Sequence, residues 1–294
     1  PLSEAEWQRL YALYRAIPQY ELVNKGFGLE GFKEIFWLEW LHRLWGRLIG
    51  LAFIGPLAWL WWRGLVPRAL LPRLLGLFVL GGLQGAVGWF MVASGFFAES
   101  TAVSPYRLVV HLGLALVLYA AILWTALGLL APDPLEDDAS QDVGRARWWV
   151  RGAALSVATT ILAGGFVAGL KAGLTYNTFP LMDGRLVPDG YAMLSPWLLN
   201  LFENVPAVQF NHRLLATLTA GLAIGAAVAG WNTAARPVLL ALLAAVGVQY
   251  ALGVATLLYV VPAGLGTAHQ TVAVLVLTAA LVALHRLRRV AGRE

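Results

Sequence analysis

Seven apolar stretches dominate the chain and leave it few folds to choose from. They run over 38–62, 71–93, 105–130, 148–170, 207–231, 237–259 and 264–287, and each meets the roughly 20 helical residues that hydrocarbon about 30 Å thick demands. In lipid every backbone N–H and C=O must find its partner inside the protein, and a helix does so within one segment. The expected fold class is therefore an all-α polytopic membrane protein with seven transmembrane helices. A mean hydropathy of +0.69 with only 13% charged residues excludes an ordinary soluble domain.

Arginines set the orientation. Arg63, Arg68 and Arg73 lie between the first two spans, Arg145, Arg147 and Arg151 flank the start of the fourth, Arg236 separates the fifth and sixth, and Arg286, Arg288, Arg289 and Arg293 close the chain. The positive-inside rule makes those segments cytoplasmic and puts 1–37, 95–104, 171–206 and 260–263 outside. Membrane topology thus accounts for the net charge of +5, and no basic stripe for nucleic acid is left over. The chain has no Cys, which excludes disulfides, Cys-ligated iron–sulfur clusters, a thiolate haem ligand and Cys-x-x-Cys-His haem attachment. A metal must be held by His or carboxylate.

Three successive spans are repeated. His42-Arg43-Leu44 in the first answers His212-Arg213-Leu214 in the fifth, and Gly82-x-Gln84-x-x-x-Gly88 in the second answers Gly247-x-Gln249-x-x-x-Gly253 in the sixth. His111 in the third then answers His269 in the seventh. The fourth span precedes the second copy and has no counterpart before the first. Symmetry therefore predicts two pseudo-symmetric four-helix bundles with the first helix missing from this chain. Pro at residue 1, and the lack of an apolar signal-peptide core in 1–37, agree with a missing native N-terminus. The resulting domains are an outer N-terminal segment at 1–37, an N-terminal half-bundle at 38–130, a cytoplasmic linker at 131–147 holding Glu136, Asp137 and Asp138, and a C-terminal four-helix bundle at 148–294.

Four of the five histidines occupy equivalent places near the outer ends of their spans. Ionisable side chains inside a bilayer cost a few kcal/mol each on insertion scales and tend to face bundle interiors at functional sites. Within each half the two histidine-bearing helices run in the same direction, so two neutral imidazoles can meet across the width of one haem. The alternative is a set of interior histidines hydrogen-bonded to neighbouring helices. Zinc or copper fits less well, because no third or fourth ligand repeats with each pair. His285, among Arg286, Arg288 and Arg289, reads as an interfacial residue. Arg43, Arg47, Arg107 and Arg213 lie beside or one turn from these histidines and are candidates for haem propionate contacts, or for snorkelling to the interface. The Gly-x-Gln-x-x-x-Gly motifs read as close helix packing with Gln as an interhelical tie or a haem contact.

The repeat is broken at Glu39, three residues before His42, whose equivalent before His212 is Gln209. A carboxylate beside a haem can accept a proton or stabilise positive charge, and an amide can do neither. Half one is thus the candidate site of chemistry, with Glu39 catalytic. The alternative is an interfacial carboxylate that merely hydrates.

Together, Glu39-Trp40-Leu41-His42-Arg43, Gly46-Arg47, Gly81-Gly82-Leu83-Gln84-Gly85 and Val103-Ser104-Pro105-Tyr106-Arg107 before His111 resemble the heme A synthase family. So do Gly164-Gly165, Ala168-Gly169, Asn177-Thr178-Phe179-Pro180-Leu181-Met182, Asn211-His212-Arg213 and His269-Gln270, so the likeness covers almost the whole chain. It is closest to the cysteine-free branch shared by mitochondria and alphaproteobacteria. The resemblance implies oxidation of a haem o ring methyl to the formyl group of heme A by successive hydroxylations, in support of terminal oxidases. It implies that His42 and His111 hold the substrate haem with Glu39 catalytic, and that His212 and His269 hold a haem b cofactor. Heme O synthase and an unidentified electron donor are the implied partners. A bacterial inner membrane, or the mitochondrial inner membrane in a eukaryote, is the implied location, and self-association into a homo-oligomer stays open. The rival functions are a diheme b-type electron carrier and a haem transporter.

Overall fold

Proline opens several of the helices, because a residue without an N–H costs least in a first turn, where that donor has no intrahelical partner. Pro18, Pro72, Pro105, Pro206 and Pro237 occupy such places. The computed structural model describes residues 1–96, 102–131, 133–135 and 141–288. Glu136, Asp137 and Asp138 of the acidic linker run, and Arg289 and Arg293 of the C-terminal cluster, lie outside the described residues.

Seven helices among the described residues are long and apolar enough to cross a membrane: α3 (Leu29–Trp62), α4 (Leu71–Ala93), α5 (Pro105–Leu130), α6 (Gln141–Gly169), α7 (Val205–Ala229), α8 (Arg236–Leu258) and α9 (Ala263–Arg286). All seven expected spans are found. The protein is an integral membrane protein, and no strand forms among the described residues. Within spans, Thr hydroxyls return to the carbonyl one turn back, as Thr160 does to Ser156 and Thr256 to Leu252, which keeps them satisfied where no water is at hand.

The chain divides into two compact units, Pro1–Leu118 and Tyr119–Glu294. In the first, the polar and aromatic N-terminal segment folds into α1 (Glu4–Arg15) and α2 (Pro18–Leu22), and α3 starts at Leu29 rather than at 38. Ser3 and Glu6 form a reciprocal capping box at the start of α1, a signature that Ser-x-x-Glu carries in sequence. The N–H groups of Leu2 and Ser3 hold the Glu6 carboxyl below its usual range. The early start of α3 has an aromatic cause. Trp7 makes edge contacts with Phe32, Phe36 and Trp37 on the added turns of α3, and Tyr14 packs on Phe32. Such pairs contribute about 0.5–1.5 kcal/mol each beyond burial.

In the second unit α6 packs on α7 and α9, and α8 packs on the same two helices, so the four close into a ring. One end of the ring is filled by small residues: Val143, Ala146 and Val150 of α6, Ala226 and Ala229 of α7, Leu239, and Ala283 of α9. Arg147, almost fully buried there, donates through Nε to the Leu287 carbonyl at 2.6 Å, a favourable place for a cation at a helix C-terminus. Ser156 and Thr219 join α6 to α7 at 2.7 Å. His285 sits in the last turn of α9, at the end its arginine neighbours mark. It is 1% exposed, packed edge-on against Trp124, because the last turn of α9 faces inward where its arginine neighbours had suggested a solvated end.

Gly225 of α7 faces the Trp149 ring so closely that an added Cβ would lie well inside contact distance of Cε3. Gly225→Ala should therefore push α6 and α7 apart at a cost of about 1–3 kcal/mol. Thermal unfolding in detergent, compared with an Ala substitution at open Gly221, reads this directly.

Candidate functional site

The histidine end of the second unit lies opposite its alanine-rich end. His212 of α7 and His269 of α9 face each other with ring centroids 6.5 Å apart and planes crossing at 81°. Two imidazoles binding one metal from opposite sides at about 2 Å per bond would set their centroids about 6 Å apart. The observed spacing is close to that.

Each ring is seated by the preceding helix. His212 Nδ1 lies 3.1 Å from the Thr160 carbonyl oxygen, and since a carbonyl only accepts, Nδ1 carries the proton and Nε2 keeps its lone pair. Beside it a Cβ on Gly164 would come within 3.1 Å of His212 Cε1. On α8, Gln249 Nε2 is 3.4 Å from His269 Nε2, and a Cβ on Gly253 would meet His269 Cε1 at 3.0 Å. The first unit repeats this arrangement. Gln84 Nε2 is 3.4 Å from His111 Nε2 and donates to the His111 carbonyl at 3.2 Å, while a Cβ on Gly88 would meet His111 Cε1 at 2.9 Å. The glycines closing the two repeated motifs thus make room for imidazoles, where the sequence had suggested room for a helix backbone. Gly82 and Gly247, which open the motifs, face open space.

His42 lies on an exposed face of α3, and no ring contact joins it to His111 among the described residues. Glu39, one turn before it, binds Arg43: both Nε and an Nη donate to Oε1 at 2.8 Å. The pair is about half exposed, so its contribution to stability is small. Arg47 is exposed on the same helix. Arg107 donates to the Phe90 carbonyl at 2.9 Å and stacks over the Phe90 ring at 3.9 Å.

The equivalent pair in the second unit is built differently. Gln209 is 3% exposed, and its amide donates to the carbonyls of Ala172 and Thr175 at 2.9 and 2.6 Å. Arg213 donates to the carbonyls of Tyr176 and Thr178 and to Gln209 Oε1, while its Nε is buried without a partner. These bonds fasten the segment between α6 and α7 as a cap over the histidine end. Asn177 ties it to the Leu257 carbonyl of α8 at 2.9 Å, and Tyr191 to Asn211 of α7 at 2.9 Å. Asn200 and Asn204 link the cap internally, with Asn204 also capping α7.

Chemically, two neutral imidazoles with a free lone pair suit a transition metal whose other ligands come from elsewhere. Among the described residues no group of three or more His, Cys, Asp or Glu side chains could hold a metal by itself. Fold and site therefore define a polytopic helical membrane protein with paired intramembrane histidines. The chain belongs to the family of cytochrome oxidase assembly proteins (COX15-CtaA), whose model matches residues 1–281. It is 60% identical to the heme A synthase of Granulibacter bethesdensis over all of this chain and 77% of that protein. It is 52% identical to that of Rhodospirillum centenum, over 98% of this chain and 77% of the relative, and 46% identical to that of Nitrosospira multiformis, over 98% and 82%.

Gln209→Leu leaves two cap carbonyls without donors, at a cost of about 1–3 kcal/mol. Hydrogen–deuterium exchange should quicken in 172–182 while the C-terminal half of α7 keeps its protection. Equal exchange in both proteins would mean that the amide does not fasten the cap.

Proposed function

We propose that the protein is a heme A synthase of the bacterial inner membrane, an oxidoreductase that converts a ring methyl of haem o to the formyl group of heme A. One observation carries the haem assignment: the paired imidazoles of His212 and His269, spaced for a single metal and each seated by its own helix. The orphaned Nδ1 atoms of His111 and His269 add to it, since a buried ring nitrogen without a protein partner calls for one from elsewhere. The names of the relatives supply the reaction, and the seven spans supply the membrane.

In this assignment residues 38–130 form the substrate half, in which His42 and His111 hold haem o, and 148–294 the cofactor half, in which His212 and His269 hold haem b, with 131–147 as linker. Capping supports the difference. A segment fastened to α7 and α8 by Gln209, Arg213 and Asn177 suits a resident group better than one that must enter and leave. Bound haem supplies the oxidising chemistry; the chain's own residues orient and carry charge. Two hydroxylations of the methyl carbon, each inserting one oxygen atom of dioxygen while two electrons from a separate donor and two protons reduce the other atom to water, give a geminal diol that loses water to leave the formyl group. Glu39 accepts a proton or stabilises developing positive charge at the substrate, and Arg43 holds its carboxylate. Arg43, Arg47, Arg107 and Arg213 are the candidates to meet haem propionates, and among the described residues the Nε of Arg213 is a buried donor still to be matched. Heme O synthase is the natural supplier of substrate, and a homo-oligomer is compatible with the exposed apolar faces of the spans.

Expression beside heme O synthase in a host lacking heme A should yield heme A, or its hydroxylated intermediate, in extracted haems. Only haem b and unchanged haem o would favour an electron carrier or transporter. Glu39→Gln should lower conversion about 10²-fold with haem content preserved, and full conversion would remove Glu39 from the chemistry. His212→Ala and His269→Ala should each abolish the low-spin haem b spectrum.

A further inference from the structure

A hydroxyl in a membrane span is ordinarily satisfied by turning back to a carbonyl of its own helix. Buried Ser156 reaches across to α7 instead. Gly152, Ser156, Thr160 and Gly164 follow at four-residue intervals on the face that α6 turns to α7. An added Cβ on Gly152 would lie 3.4 Å from Leu222 Cδ2, and one on Gly164 would lie 3.1 Å from His212 Cε1. Between these two glycines three hydroxyl protons serve four contacts. Thr160 Oγ1 is 2.7 Å from the Ser156 carbonyl oxygen and Thr219 Oγ1 is 2.8 Å from the Leu215 carbonyl oxygen. Ser156 Oγ is 2.7 Å from Thr219 Oγ1, and Thr160 Oγ1 is 3.1 Å from it. Carbonyls only accept, so the two threonine protons go to them and the Ser156 proton goes to Thr219. The longest contact is the one left without a proton. One hydroxyl bond therefore crosses from α6 to α7, with both of its residues buried.

We propose that Ser156 and Thr219 are positioning residues for His212: the bond between them holds α6 and α7 at the register in which the Thr160 carbonyl takes the Nδ1 proton and leaves Nε2 for iron. The proposal rests on the haem reading above and goes beyond it by naming what keeps that carbonyl in place. On α6 the hydroxyl donor stands one turn from the carbonyl, and on α7 the hydroxyl acceptor stands two turns from the ring on the same face. Glycine contacts at either end of this face are dispersion alone, which changes little when one helix slides a short way along the other. A hydrogen bond does not tolerate the slide: about 1 Å would carry the Thr160 carbonyl, now 3.1 Å from Nδ1, out of range. An imidazole whose N–H keeps its acceptor is the more basic ligand and favours oxidised iron. Thr219→Val preserves the shape of the side chain and removes the oxygen. The freed Ser156 proton then has the carbonyl of residue 152 to turn back to.

The experiment uses the holoprotein in lipid nanodiscs, as wild type, Thr219→Val, Ser156→Ala and Thr219→Ser. The low-spin haem signal that His212→Ala removes is followed in each, by its midpoint potential and by the largest g value of its low-temperature electron paramagnetic resonance spectrum. Thr219→Val and Ser156→Ala both break the crossing bond, so the potential should rise and the g value should shift with haem content unchanged. Thr219→Ser keeps the hydroxyl and should hold both at their wild-type values. A bond that only joins helices would lower thermal stability in the Val and Ala variants and leave potential and g value unmoved, and that result overturns the proposal. Should Thr219→Val fail to fold, Ser156→Ala, which strands no buried donor, decides alone by the same two readings. A wild type without low-spin haem overturns the haem reading and the proposal with it, whereas a wild-type signal that the variants leave unmoved overturns the proposal alone.

Discussion

An imidazole inside hydrocarbon must have both of its nitrogens accounted for, and much of this structure follows from that demand. Water is not there to accept a spare N–H or to donate to a spare lone pair. His212 meets half of the requirement with a backbone carbonyl, which α6 can expose at Thr160 because the next turn carries Gly164 in place of a side chain. His111 and His269 meet it with a Gln one turn from a glycine. In all three cases the helix before the histidine gives up a Cβ to admit the ring and offers a polar group beside it.

The cap of the second unit changes the meaning of the Glu39–Gln209 asymmetry. In sequence the contrast is between a residue with charge and one without. In three dimensions Gln209 is amide because it must donate to two carbonyls at once, which no ionised carboxylate can do. Glu39, on an exposed face and bound to Arg43, has no such duty. The two positions therefore differ because Gln209 is committed to architecture, and Glu39 is left available for charge and proton chemistry. The case for Glu39 rests on its own place, one turn from His42.

Legibility tracked the length scale of the signal. The seven spans were readable because each is a long apolar segment, and hydrocarbon thickness sets their length with little help from neighbours. The repeat brought out His42, His111, His212 and His269 because covalent spacing within helices survives folding. The aromatic extension of α3 was missed, since Phe32, Phe36 and Trp37 form a helix face only once Trp7 of α1 lies against them. The Ser3 and Glu6 capping box is legible in sequence as Ser-x-x-Glu. The burial of His285 was not legible, because neighbouring arginines describe the end of a helix and say nothing of which face turns inward. The seats of the histidines were legible in composition, as Gly-x-Gln-x-x-x-Gly, and illegible in purpose, because small residues admit a helix and a ring equally well.

Packing at the two ends of the second unit shows two different ways of closing one bundle. At one end Ala146, Ala226 and Ala283 let helices meet with almost no exposed side chain between them, and buried Arg147 on the Leu287 carbonyl adds a directional bond where dispersion alone would permit sliding. At the other end the same four helices carry imidazoles and glycines, which fill less of the space between them. A cap held by amides and a guanidinium closes that end by hydrogen bonds to backbone carbonyls, whose geometry does not depend on packing density. Stability can thus be concentrated at the alanine-rich end, while the histidine end takes its shape from the hydrogen bonds of its cap.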